Sequence, residues 1–213
     1  LKQVALTRGY DPSNLNDLPA SGDEVQAAES AVHGPSNTIL LGADATESAF
    51  KRADLARYRY IHLAVHGFAS NVDPDRSALL LRSDPAHGED GFLQASEIVQ
   101  MRLNADMVVL SACDSALGPV QGEEGIAALS RAFLLAGARS VVSTLWSIDD
   151  TFSSFFMKAF YGHLAAGVSP TLALAEAKRD MVTKYGRSAP PYYWAAFIIE
   201  GAAGHATQSP ATK

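Results

Sequence analysis

The chain contains one cysteine, Cys113, so it can form no internal disulfide and offers no argument for an oxidising compartment. No apolar run approaches the roughly 18 residues that a membrane-spanning helix needs, and the first residues lack the charged-then-apolar order of a secretion signal. A cytoplasmic location without membrane contact is the default expectation. Basic residues are outnumbered, 17 Lys and Arg against 23 Asp and Glu, and they form no run, which argues against a direct nucleic-acid surface. There is no internal repeat and no low-complexity block. No glycine-rich phosphate loop joins the first strand and helix, which weakens nucleotide-binding readings. The chain opens Leu1-Lys2-Gln3-Val4-Ala5-Leu6 without Met, and we expect it to be a fragment of something longer.

What remains is ample for a core. At 213 residues, with 47% apolar and 19% charged content, the chain suits one large domain over residues 1–201, followed by a frayed polar tail at 202–213. Strand and helix signals alternate along it. Short strands are predicted at Val4–Leu6, Thr38–Leu41, Tyr60–Val65, Met107–Leu110, Ser140–Trp146 and Tyr192–Glu200. Helices are predicted at Glu24–Val32, from Gly42–Thr46 to about Leu55, at Gln94–Met101, from Ile126 to Ala136, through Phe152, Phe156 and Phe160, and from Ser169-Pro170 to Tyr185-Gly186. Ala78–Leu81 and Phe92-Leu93 read as a hairpin-like excursion around an acidic loop, whose acids and His87 are read as solvated residues rather than metal ligands. The fold class is α/β: a mostly parallel sheet of about six strands with helices on both faces.

Two strand ends carry the chemistry. Met107–Leu110 is an apolar run rich in β-branched residues that leads through Ser111-Ala112 to Cys113. Tyr60–Val65 leads to His66-Gly67. In an open parallel sheet both ends emerge at the carboxyl edge, where ligands bind. A thiol titrates near ~8.5 when unperturbed, so Cys113 needs a neighbouring base to become a nucleophile, and His66 is placed to be one. Gly67, with no Cβ, suits an oxyanion hole together with the N–H of Cys113. Asp114 is a poor candidate for orienting the histidine, because adjacent residues on extended chain point opposite ways. His62 reads as a packed, hydrogen-bonded histidine, and His33, His163 and His205 as structural or surface residues without a partner. A catalytically silent binding module and a flavodoxin-like small-molecule hydrolase using Cys113 stay open on the residues alone.

The ordered blocks Leu18-Pro19 with Glu24, Ala45-Thr46, Ile61–Gly67, Gly91-Phe92-Leu93 with Glu97-Ile98, Val109–Cys113, Gly122–Ile126, Ala136-Gly137-Ala138, Leu145–Asp150 and Pro191–Ala195 resemble the CHAT domain. This is a caspase-like module often found after tetratricopeptide repeats. The resemblance implies a caspase-like three-layer sandwich and endopeptidase activity on protein substrates, with His66 as general base and acid and Cys113 as nucleophile. It implies no metal and no organic cofactor, and a regulatory partner or repeat array in the parent chain. Asp149 and Asp150 follow the strand after Cys113 on the same sheet edge. We expect Asp149 to line the pocket for the residue before the cleaved bond and to select Arg or Lys there, and Asp150 to cap the helix beginning at Thr151.

Overall fold

The computed structural model describes residues 18–32, 34, 36–70, 73–111, 123–146, 148–186 and 190–202. The predicted strand at Val4–Leu6, the tail beyond Ala202, Cys113 and most of the loop after it lie outside the described residues. The helices are α1 (Ser21–Ala31), α2 (Glu47–Arg52), α3 (Ala95–Ile98), α4 (Glu123–Leu135), α5 (Asp150–Ala165), α6 (Pro170–Tyr185) and α7 (Pro191–Trp194). The strands are β1 (Tyr60–Leu63), β2 (His66–Phe68), β3 (Ala78–Leu80), β4 (Phe92–Gln94), β5 (Met107–Leu110), β6 (Ser140–Thr144) and β7 (Phe197–Gly201).

Strands β5 and β6 are buried at every position, as strands covered on both faces must be, although β6 carries Ser140, Ser143 and Thr144 among its five residues. Their alternate side chains feed two separate cores. Met107, Val109 and Val142 pack with Phe156, Phe160 and Met181 beneath α5 and α6, while Val108, Leu110 and Val141 pack with Ile98, Leu129 and Phe133 beneath α3 and α4. Helices therefore cover both faces of one sheet, with order β1-β5-β6-β7. Strands β1, β5 and β6 run parallel and β7 antiparallel beside β6. Fully burying each such side chain contributes about 1.5–3 kcal/mol. The α/β class holds, with four strands in the main sheet among the described residues.

Strands β2, β3 and β4 form a second, antiparallel sheet, which is the predicted excursion. It takes His66 with it. The strand predicted to run unbroken to Val65 stops at Leu63, and His66 opens β2 opposite Leu80. The chain has to leave the plane of the first sheet at Ala64-Val65 to reach the second. Thr38–Leu41, predicted as a strand, forms no ladder among the described residues, and Ile39 and Leu41 remain 40% and 39% exposed. The helix predicted to reach Leu55 stops at Arg52 and is followed by a single tighter turn at Leu55–Arg57. It starts at Glu47, past the predicted opening at Gly42–Thr46, and is capped by Thr46, whose Oγ1 accepts from Ala49 N at 3.0 Å. Tyr192–Trp194 belong to a helical turn that opens on Pro191, and the last strand starts at Phe197.

One ion-pair network fastens α2 to the excursion. Lys51 Nζ lies 2.7 Å from Glu47, 2.7 Å from Glu89 and 2.8 Å from Glu97, and Glu47 also accepts from Gly91 N at 2.7 Å. Burial alone would lower the lysine pKa, but the three carboxylates together raise it well above its usual value. Glu47 is 1% exposed, and its carboxyl titrates above the usual range because burial outweighs the lysine beside it. Lys51→Met leaves three carboxylates within 4.8 Å of one another and no cation. It should cost about 2–3 kcal/mol at neutral pH, less than a fully buried pair because the network is partly solvated. Crowded carboxylates take up protons more readily in the native than in the unfolded chain, so the variant's deficit should shrink as pH falls toward 4. Urea unfolding of both chains at neutral and acid pH measures this.

Candidate active site

Strands β1 and β5 pair in parallel with Leu63 opposite Leu110. Along the sequence, His66 follows Leu63 and Cys113 follows Leu110 by the same number of positions. Cys113 itself lies outside the described residues. The last described residue before it, Ser111, is buried, and its Oγ lies 3.0 Å from Ser153 Oγ of α5. Ser111 N also donates to Leu63 O at 3.0 Å, which locks the end of β5 to the end of β1. Neither serine contact was legible in the sequence, since Ser111 and Ser153 meet only once α5 is packed on the sheet.

His66 is half-buried and lines a cleft of about 550 Å³. The next residue, Gly67, has a backbone orientation that the ladder fixes. Leu81 N donates to Gly91 O and Ala95 N to Ser77 O, so Ser77, Leu79 and Leu81 direct their main-chain groups at β4. Ala78 and Leu80 must then bond His66 and Phe68 on β2, and the N–H of Gly67 points away from β3, off the open edge of that small sheet. A backbone donor not used by the ladder thus sits directly beside the histidine.

Asp149 follows the carboxyl end of β6, the parallel neighbour of β5, and lies exposed on the same side of the sheet. It is the helix cap. Its Oδ1 accepts from Thr151 N at 3.0 Å, and α5 begins at Asp150, one residue earlier than the capping assignment to Asp150 required. One carboxylate oxygen is spent on this bond. Close by in the chain, Trp146 donates its Nε1 to Tyr192 O at 2.8 Å and stacks on the Tyr192 ring, joining the end of β6 to α7.

His62 lies below the edge, in the core. Its Nδ1 is 2.9 Å from the Tyr161 hydroxyl, and its Nε2 is 2.9 Å from Glu24 Oε1, close as an ion pair but off the line of a hydrogen bond. Burial, reinforced by the Glu24 charge, raises the Tyr161 phenol well above its usual range, so the hydroxyl stays protonated. This is the packed histidine expected from its position, and it ties β1 to α1 and α5. His163, read as lacking a partner, has one in Asp180 at 2.7 Å on α6. His87 bonds Asp84 at 2.8 Å within its loop.

The profile of the CHAT domain matches residues 7–202. The chain belongs to the CHAT domain family. Its curated relatives include mouse "Tetratricopeptide repeat protein 28", 35% identical over 130 residues, and its human counterpart, 34% identical over 110 residues. These stretches cover 61% and 52% of this chain but only 5% and 4% of the relatives. The CHAT assignment carries the caspase-like superfamily with it. Among the described residues no helix is long and apolar enough to cross a membrane.

Proposed function

We propose that this CHAT domain is a cysteine endopeptidase acting on protein substrates through His66 and Cys113. One observation supports the reading: Leu63 and Leu110 are paired at the ends of parallel β1 and β5, and the sequence puts a histidine and a cysteine at equal offsets after them. The Cys113 thiol passes its proton to His66 and attacks the scissile carbonyl, forming a carbon–sulfur bond and an oxyanion. The outward N–H of Gly67 and that of Cys113 receive the oxyanion. Collapse breaks the carbon–nitrogen bond as His66 returns the proton to the leaving amine. Water, deprotonated by the same imidazole, then releases the acid from the thioester. No step calls for a metal or an organic cofactor.

Asp149 is the proposed selector for Arg or Lys before the cleaved bond, using the carboxylate face not engaged with Thr151 N. Asp149→Asn keeps an oxygen for the cap but loses the charge. It should lower cleavage after Arg and Lys at least about 10-fold relative to other residues, in keeping with one charge-assisted contact, and an unaltered cleavage profile would remove Asp149 from this role. The relatives are named as tetratricopeptide repeat proteins, which supports a repeat array or partner as regulator of the parent protein. The same names support a second reading, a caspase-like interaction module without turnover.

Incubation of the intact chain with a peptide library, beside Cys113→Ala, separates the two. Cleavage that disappears in Cys113→Ala supports the peptidase. Peptide binding without cleavage, unaffected by that substitution and persisting when the parent chain's other domains are present, supports the module.

A further inference from the structure

Phe156, Phe160 and Phe197 are fully buried and fill the core beneath α5 and α6. Six other rings stay at the carboxyl rim of the main sheet and touch one another in an unbroken run. Tyr185, the last residue of α6, meets Phe155 at 5.4 Å and Phe152 at 5.2 Å between ring centroids. Phe152 stacks on Tyr193 at 3.9 Å, Tyr193 meets Tyr192 edge to face at 5.6 Å, and Tyr192 stacks on Trp146 at 6.1 Å. None of the six is fully buried, and Tyr192 is 52% exposed. Their place follows from the topology: Trp146 comes just after β6, Phe152 and Phe155 lie in the first turns of α5, and α7 leads into β7, whose Phe197 pairs with Thr144 at the end of β6.

One end of the run holds a cation. Lys184 Nζ stands 3.7 Å from the centroid of Phe155 and 5.2 Å from that of Tyr185. The ion pairs of α6 among the described residues are those of Asp180 with His163 and of Arg179 with Glu176, so ring faces rather than a carboxylate hold this ammonium. The attraction is that of a positive charge for the ring quadrupole. Lys184 is exposed in the last turn of α6, where the helix carbonyls offer its charge a second favourable position. It can therefore give up the rings at little cost. A guanidinium is more weakly hydrated than an ammonium and stacks flat on an aromatic face, so it is the better occupant.

We propose that the Phe155–Tyr185 end of this run is a seat for a cationic side chain of a bound protein segment, arginine above all, which Lys184 occupies in the unliganded chain. Asp149, beyond the Trp146 end, offers an exposed carboxylate with one oxygen engaged by Thr151 N. The segment that fits is extended and carries two basic residues, one for the carboxylate and one for the rings. The chain's excess of acids, 23 against 17 Lys and Arg, favours such a ligand over an acidic one. That the segment is a substrate rests on the peptidase reading; its binding does not.

Fluorescence anisotropy of a labelled Gly/Ser peptide carrying two Arg, and of its counterpart carrying citrulline, the neutral isostere, tests this. The intact chain is used with Cys113→Ala throughout, so absence of turnover in the parent chain counts against the peptidase reading alone. Lys184→Met should tighten binding of the Arg peptide about 3-fold and Phe155→Leu should weaken it about 3-fold, each the worth of one partly exposed cation–π contact. Adding Lys184→Met to Phe155→Leu should then change nothing, because no seat is left to vacate, whereas a general charge effect would persist. The citrulline peptide should bind more weakly and respond to neither substitution, and melting temperatures of the same proteins identify any loss that comes from unfolding. Binding that Lys184→Met weakens or leaves unchanged overturns the proposal. So does an equal gain from Lys184→Met with and without Phe155, equal binding of the two peptides, or no binding of the Arg peptide by any of the proteins.

Discussion

Replacing Gly137 by alanine should destabilise the domain by about 4 kcal/mol or more, near the upper end of what single substitutions do. Gly137 lies just past α4 at φ +114°, and a Cβ there would stand 2.3 Å from the carbonyl oxygen of Leu103. That carbonyl cannot simply retreat, because Leu103 N donates to Ala136 O at 2.8 Å in the same crossing. The helix is closed by paired bonds, Gly137 N to Leu134 O and Ala138 N to Phe133 O, the six-to-one and five-to-two pattern of a Schellman cap. Gly167 supplies a matched control. It ends α5 with the equivalent bonds, Gly167 N to Leu164 O and Val168 N to His163 O, at φ +83°, but nothing lies within 4 Å of its would-be Cβ. Gly167→Ala should therefore cost only the left-handed backbone penalty, about 1–2 kcal/mol. For a domain of this size each kcal/mol moves the melting temperature by roughly 2–4 °C. Melting curves of the two variants should differ by several degrees, and equal losses would show that the Leu103 contact relaxes freely.

The two glycines also show what a sequence can and cannot disclose. Gly137 after an amphipathic run is readable as a helix stop, and so are Ser169-Pro170 and Gly186 around α6, whose bounds match the prediction. Those signals are local: a missing Cβ, a fixed φ, a capping oxygen. The uninterrupted apolar run of β5 is legible for a similar reason, since both faces of the strand need covering whatever covers them. Bends are not written so plainly. Nothing in Ala64-Val65 distinguishes a strand that continues to His66 from one that leaves its sheet and pairs with Leu80. Aromatic content made Tyr192–Trp194 look extended, although Pro190-Pro191 opens a helical turn there. Contacts between distant segments were wholly hidden. Glu24, His62 and Tyr161 come from three elements, and Lys51 meets Glu89 and Glu97 only after the excursion folds over α2. The candidate site divides in the same way. Its residue types were legible, whereas the start of β2 at His66, the outward N–H of Gly67 and the capping bond of Asp149 follow from the turn at Ala64-Val65, ladder parity and helix start.

His66→Ala should reduce peptidase turnover by about 10³–10⁴-fold, the range expected when a nucleophile loses its base while the oxyanion donors remain. Its effect on folding should be small by comparison. His66 is half-buried at the first position of an edge strand, and its main-chain bonds to Leu80 survive the truncation. The contrast with His62 sharpens the test. His62 sits in the core against Tyr161 and Glu24, so His62→Ala should lower stability by about 2–3 kcal/mol by stranding buried polar partners. Activity per folded molecule should fall far less than in His66→Ala. A substrate-free measurement runs in parallel: alkylation of Cys113 by iodoacetamide at neutral pH should slow in His66→Ala and stay near the parent rate in His62→Ala, because only a base next to the sulfur raises its thiolate fraction. Were the two histidine variants to lose activity and thiol reactivity in proportion to their loss of stability, His66 would be a structural residue like His62, and the interaction-module reading would be the one left standing.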